Sequence, residues 1–353
     1  MVMKIARRDV LSLALGLGAG SLGLGLAGLG SASAQNAKRL VVRVWGGVWE
    51  TAMNKVGPAF TEAGGMEILI DAGSGSLPLL QQKPGQYDVA WLIGTDAARG
   101  LESGVLDPID TSRIKNWDKI AEGLTASQRK GDQVSGVPIS YTASGIMYKT
   151  DKVPFKITSW ADLWKPELKG QIALQNAPSI GGLQLIFAAA RLFGSGPTDY
   201  EAGWAAIERL KPNVQFLYNI STDGVTKLAA GSVAAVVGIA DQGIPLKSRG
   251  VETVIPSEGT TWSVQNLTIP SASTKKDAAY DFINYMLDEK TQVNWSRWGK
   301  AAPALTSVVL PADVMQNLLE TPEVTRNLWP VDWSEFGSDI PEWTKRWQTI
   351  FGS

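Results

Sequence analysis

Leu40-Val41-Val42-Arg43-Val44-Trp45, halted by Gly46-Gly47, is a short apolar run bounded by glycine, the pattern of a strand. Outward from it, Trp49 to Ala63 reads as a helix, with a kink expected at Gly57-Pro58 and an end at Gly64-Gly65. Met66 to Ile70 reads as a second strand, followed by the loop Ala72-Gly73-Ser74-Gly75-Ser76. Tyr87 to Ile93 reads as a third, ending at Gly94-Thr95-Asp96. Short apolar runs alternating with amphipathic stretches are the mark of an α/β protein. Each strand stops in small and polar residues, and open α/β sheets bind ligands beyond the carboxyl ends of their strands.

A second series follows. Ser159-Trp160-Ala161-Asp162 and Thr198-Asp199-Tyr200-Glu201 are capping-box patterns that open helices. Gln171 to Leu174 is expected to be a strand, Leu183 to Phe193 an apolar helix ended by Gly194, and Val225 to Ala230 a short helix. Ser232 to Ile239 is expected to be a buried strand with Asp241 at its tip. From Lys275 to Asp288, Ala279, Phe282, Ile283, Met286 and Leu287 keep the spacing of a core-facing helical stripe, with Thr274 and Asp277 as its expected cap. No flexible linker separates the two series, which points to lobes joined by crossing strands.

The first 34 residues read as an export signal: Arg7-Arg8, an uncharged stretch from Val10 to Leu29, and Ala32-Ser33-Ala34 as a small-residue cleavage site. Val10 stands where the twin-arginine motif usually has Phe. Seven glycines between Leu15 and Ser31 dilute the apolar core, which argues against the alternative of a membrane anchor. Cleavage after Ala34 leaves 319 residues, enough for two domains, with 30 basic and 33 acidic side chains. That balance attracts neither nucleic acid nor an anionic membrane surface. The chain has no cysteine and no histidine. Disulfides, zinc sites of the usual Cys/His kind and Ser-His-Asp or Cys-His nucleophiles are therefore excluded. No cofactor is expected, so folding before twin-arginine export has no evident reason.

Glu258-Gly259-Thr260-Thr261-Trp262-Ser263-Val264-Gln265-Asn266-Leu267-Thr268-Ile269-Pro270, with the Lys275–Asp288 helix after it, resembles a signature of bacterial polyamine-type solute-binding proteins. Gly136-Val137-Pro138 through Gly145-Ile146-Met147-Tyr148 is similar to the family's crossover, and Thr158-Ser159-Trp160-Ala161-Asp162-Leu163-Trp164 with Lys169-Gly170 to another of its segments. The resemblance implies a two-lobed α/β fold, the type II periplasmic binding protein, with hinge strands crossing near Tyr141-Thr142 and Ser263-Val264 and a third passage near Ala302-Pro303. Lobe 1 would hold residues 38–142 and 264–302, and lobe 2 residues 143–263 and 303–353.

On that footing the candidate ligand groups fall at strand ends and at the hinge. Trp45-Gly46-Gly47 would offer backbone amides beside an aromatic ring, or would be a tight turn with Trp45 in the core. Ser74-Gly75-Ser76 would present hydroxyls and amides at a helix N-terminus, or be an ordinary loop. Thr95 and Asp96 end the third strand, where Asp96 could equally cap a helix. Tyr141 would stack on the ligand from the hinge. Ser179 and Gly181, ahead of the Leu183 helix, would contribute amides from the second lobe. Asp241 would hold an ammonium or hydroxyls, or shape a turn. Trp262 and Gln265 would line the cleft on the return crossing.

The departures from the resemblance bear on the ligand. Polyamine binders surround a dication with several carboxylates, yet Gln265 stands where they carry Asp, and Ser179 to Gly182 lack their acids. Asp241 and Asp96, with Glu50 and Glu258, are the negative charge left. A zwitterion, an amino acid or an opine-like conjugate fits that set, with putrescine as the alternative. Iron is disfavoured, since no Tyr pair and no His occur. Trp329, Trp333, Trp343 and Trp347 are read as packing. The expected protein is a monomeric periplasmic component of an ABC importer that passes its solute to an inner-membrane permease. A sensor or chemoreceptor partner of the same fold, or a carboxylate-pair hydrolase, are the competing classes.

Overall fold

The computed structural model describes residues 39–353 apart from residues 74, 178, 220, 321–323, 325–326, 330, 332–338 and 353. The expected export signal, Ser74 and Trp333 lie outside the described residues. Among the described residues no helix is long and apolar enough to cross a membrane.

Strand β1 (Arg39–Val44) lies between two parallel neighbours, β2 (Glu67–Ala72) and β3 (Val89–Ile93). Helix α1 (Val48–Glu62) buries Ala52, Met53, Val56 and Phe60. It continues through Gly57-Pro58, the position of the expected kink. Pro58 and Asn54, whose carbonyl loses its donor, both lie on the exposed face, so water can satisfy that group. The end at Gly64-Gly65 is as expected: Gly64 is left-handed (φ 96°), and the Gly65 N–H donates to Phe60 O at 3.0 Å. Helices α2 (Ser76–Gln82) and α3 (Gly94–Glu102) flank β3, and α4 (Glu122–Ala126) follows.

Strand β4 (Val137–Lys149) is 13 residues long and buried along all but its last residue. It belongs to both halves of the molecule. The second half contains β5 (Ile172–Gln175), α5 (Ile180–Phe193), α6 (Tyr200–Leu210), β6 (Val214–Tyr218), α7 (Ser221–Ala229), β7 (Ala235–Ile239) and β8 (Val251–Val254). There β7 and β8 pair antiparallel with the end of β4, from Ser144 to Lys149, while β5 and β6 continue the sheet in parallel from β7. The chain returns through β9 (Trp262–Thr268), antiparallel to β4 from Ala143 back to Val137 and to β3 on its other edge. Helices α8 (Lys276–Met286) and α9 (Glu289–Gly299) precede the two-residue strand β10 (Ala302–Pro303), which pairs with Tyr141 and Ser140 of β4. The last helix is α10 (Ile340–Phe351).

Three chain passages therefore meet at Ser140–Ala143, and a hydrophobic core lies on either side. The first gathers Leu40, Phe60, Trp91, Phe282 and Trp295, together with Tyr141, Trp262, Ala304 and Leu305. The second gathers Trp160, Phe187 and Trp204 with Trp329, Trp343 and Trp347. The mixed α/β sheet with two cores about crossing strands is the expected two-lobed type II architecture.

Helix starts differ in places. The Ser159/Asp162 capping box is present and opens a 3-10 turn, Trp160–Trp164. At the second box Asp199, not Thr198, is the cap, accepting from the Ala202 N–H at 3.2 Å. At α8 no side-chain cap forms and Lys275 occupies the N-cap, so Thr274 does not serve as expected. Asp288 is not the end of that helix. It caps α9 instead, accepting from the Lys290 and Thr291 N–H groups.

Candidate functional site

The polar residues at the crossing tie the three passages together. Trp295 Nε1 donates to Ser140 Oγ at 3.0 Å, and Ser140 Oγ donates to Gln265 Oε1 at 3.0 Å. Gln265 Nε2 donates to Ser263 O at 2.8 Å and to Thr142 Oγ1 at 3.2 Å. Gln265 is only 2% exposed, and both ends of its amide are spent inside the hinge. Gln292 adds a second clamp: its Nε2 donates to Ile139 O and Met286 O, and its Oε1 accepts from the Ala304 N–H. Buried polar groups satisfied on every side specify one arrangement of the strands that carry them.

Tyr141 and Trp262 stand edge to face, ring centroids 5.9 Å apart. Trp262 rests against Gly123 of α4, and its Nε1 has no hydrogen-bond partner among the described residues. Aromatic rings at a hinge offer an apolar wall with a polar edge, useful for gripping the methylenes of a polar ligand.

The strand-end loops of the first half lie where the sequence places them. Trp45 is half-buried, 5.9 Å from Trp49, and Gly46 and Gly47 are exposed at the entry to α1. Gly75 precedes α2, and Ser76 is buried with its hydroxyl unpaired among the described residues. Thr95 and Asp96 sit in the first turn of α3, whose N-cap is Ile93, so Asp96 is not a cap. Asp96 pairs with Arg99 at 3.4 Å. Burial pushes its carboxyl up, against the pull of that guanidinium.

In the second half, Ser179 caps α5. Its hydroxyl accepts from the Gly182 N–H at 3.4 Å and donates to Asn176 O, while the Gly181 N–H donates to Gln175 Oε1 at 3.3 Å. Glu258 accepts from Ser159 and Ser257, and Glu50 is exposed on the first turn of α1.

One residue that sequence reading missed is Glu320. Asp241 lies two positions beyond the end of β7 and is 6% exposed; neither of its carboxyl oxygens has a hydrogen-bond partner among the described residues. Glu320 is 7% exposed and faces it, with Oε1 accepting from the Ala143 N–H of the crossing strand at 2.6 Å and Oε2 unpaired. Burial pushes the Glu320 carboxyl up to about 7. Burial, then the charge of Glu320, pushes Asp241 well above the usual carboxylate range. Glu320 escaped notice because it lies in an irregular segment with neither strand nor helix periodicity. Its one signal was an acid directly after Leu318-Leu319.

Residues 59–321 match the family described as bacterial extracellular solute-binding protein. A crystal structure of an ABC transporter from Clostridium perfringens superposes with a TM-score of 0.75 at 30% identity, covering 88% of this chain and 99% of that one. The spermidine/putrescine-binding periplasmic protein of Salmonella typhimurium is 26% identical over 216 residues, 58% of this chain and 60% of its own length. That match spans about three fifths of the curated relative. The putrescine-binding periplasmic protein of Pseudomonas aeruginosa is 24% identical over 322 residues, 82% of this chain and 85% of that protein.

Proposed function

This chain belongs to the bacterial extracellular solute-binding proteins, and from that premise we propose that it captures a small amine-bearing organic solute in a hinged cleft for an ABC importer. The supporting observation is the pair Asp241 and Glu320, two buried carboxyls beside the crossing strand with no cation on them among the described residues. An ammonium is the group such a pair is short of. Residues 1–34 would direct export and be removed, leaving a monomer in the periplasm that docks on an inner-membrane permease. The relatives are binding proteins, and we read this chain as a binder without catalysis.

In this reading residues 38–142 with 264–302, and residues 143–263 with 303–353, close on each other about the crossing strands. Trp45, Gly46, Gly47, Ser74, Gly75, Ser76, Thr95 and Asp96 meet the ligand from one side, and Ser179, Gly181 and Asp241 from the other. Tyr141 and Trp262 wall it at the hinge, while Gln265 keeps the hinge in register. Asp96 is already paired with Arg99, so Asp241 and Glu320 are the acidic end left without a cation, which favours a single ammonium on a neutral or zwitterionic body, an amino acid or opine-like compound. A diamine is the second reading, favoured by the ligands named for the relatives.

A thermal-shift panel of putrescine, spermidine, γ-aminobutyrate, amino acids, opines and neutral sugars tests this. A ligand at about 100 times its dissociation constant stabilises the native state by about 2.7 kcal/mol, and the midpoint rises by a few degrees. Amine hits are expected. Hits confined to neutral sugars would overturn the reading.

A further inference from the structure

Two carboxyls that face each other in a buried site cannot both stay ionised without a cation between them. Around Asp241 and Glu320 the opposing contacts come from the backbone, the Ala143 N–H at 2.6 Å from Glu320 and the Leu319 backbone, and three of the four carboxyl oxygens have no hydrogen-bond partner among the described residues. Charged side chains do occur on adjoining segments. Lys156, Lys247 and Glu252 line a cavity of about 400 Å³ with Gly243, Leu318 and Leu319, and its lining includes neither carboxyl. Burial raises both acids and the charge of Glu320 raises Asp241 further, while among the described residues no lysine or arginine acts on either. An empty site therefore has one remedy within reach, which is to hold a proton.

We propose that Glu320 and Asp241 form a proton-for-ammonium exchange site, in which the ligand's ammonium replaces a proton shared by the pair. The inference rests on the amine reading above. The step balances: a singly charged pair carrying one proton takes up R–NH₃⁺, becomes doubly charged against it, and releases one H⁺ to water. No bond other than the carboxyl O–H is broken, and no further reactant is needed. The ammonium brings three donors where the proton supplied one, so both unpaired oxygens of Asp241 and Oε2 of Glu320 gain partners. Glu320 thereby becomes a specificity residue. A neutral solute of the same shape would leave the proton in place and gain nothing at this end of the cleft.

Calorimetric titration of the purified protein with γ-aminobutyrate and with putrescine, at pH 7 in buffers of different ionisation enthalpy, reads the exchange. About one proton released per amine bound is expected, with affinity rising about tenfold per pH unit on the acid side of neutrality. Glu320→Gln should lower the proton count and flatten that slope, and Asp241→Asn should do the same. Binding with no buffer-dependent heat in the unmodified protein, or an unchanged proton count in Glu320→Gln, overturns the exchange while leaving the amine reading intact. No binding by either amine, with panel hits confined to neutral sugars, overturns both.

Discussion

Trp262 and Gly123 are in direct contact: a Cβ built on Gly123 would lie 2.4 Å from Cη2 and 2.9 Å from Cζ2 of the indole. A five-residue helix, α4, thus backs the ring that the proposed cleft uses as a wall. Gly123→Ala must push the indole aside or tilt the helix. Overpacking of this kind costs about 1–3 kcal/mol, so the urea midpoint should fall modestly. Ligand affinity, measured on the same preparation with whichever amine scores in the thermal panel, should fall several-fold. A destabilised variant with unaltered affinity would take Trp262 out of the ligand site.

Gln265→Asp is the substitution that would restore the acid of the polyamine-type pattern. Here it should fail to do so. The amide donates to Ser263 O at 2.8 Å and to Thr142 Oγ1 at 3.2 Å, and a carboxylate would turn that donor into a second acceptor facing a carbonyl. The cost is about 2–4 kcal/mol for unpaired groups in a buried network. A lower urea midpoint with no gain in spermidine affinity is expected. Tighter spermidine binding at full stability would mean that Gln265 faces the ligand.

How far the fold could be read in advance follows from where periodicity exists. β1, β3, α1 and α8 were legible because an apolar face repeats over five or more residues between glycines or charges. The crossing near Tyr141-Thr142 and Ser263-Val264 was legible only through the resemblance, since β4 is buried along nearly its whole length and shows no alternation. Caps were less legible. Thr198 and Thr274 are sound cap residues, but Asp199 lies one position nearer its helix and takes the Ala202 N–H, and α8 begins without any side-chain cap. Glu320 was illegible for a deeper reason. Its partners are Asp241, 79 positions away, and the Ala143 N–H, and neither is visible from its own segment.

Asp88 should be the most sensitive acid for stability. Its Oδ2 accepts from the Val41 N–H and from Lys275 Nζ, both at 2.9 Å, and its Oδ1 accepts from Ser273 Oγ at 2.8 Å. It joins β1 to the start of α8, two elements more than 230 residues apart. Asp88→Ala strands a partly buried lysine and a buried N–H, a loss of about 3–5 kcal/mol. Asp88→Asn keeps the shape and should lose less. Urea unfolding of the two variants checks the order, and equal losses would show that shape rather than charge matters there.

The pair Asp241 and Glu320 also fixes a pH dependence in the ligand-free protein, with a sign opposite to that of a salt-bridged acid. Both carboxyls are raised in the folded state, Glu320 to about 7. A raised carboxyl binds its proton more tightly when folded than when unfolded, so stability is fully present below the unfolded value. It is lost as pH rises through the folded one. The window therefore runs from the ordinary carboxylate range up to about 7 for Glu320, with Asp241 adding to it in the same direction. From pH 5 to pH 8 the melting midpoint of the empty protein should fall through this pair, by an amount worth on the order of a few kcal/mol. Glu320→Gln removes one of the two charges while keeping an oxygen for the Ala143 N–H. At pH 8 it should melt higher than the unmodified protein, and at pH 5 the two should converge. A saturating amine should erase the difference at pH 8 by stabilising the unmodified protein more than the variant. Melting curves that stay parallel for the two proteins from pH 5 to pH 8 would mean that the pair is neutralised by something other than its own protons.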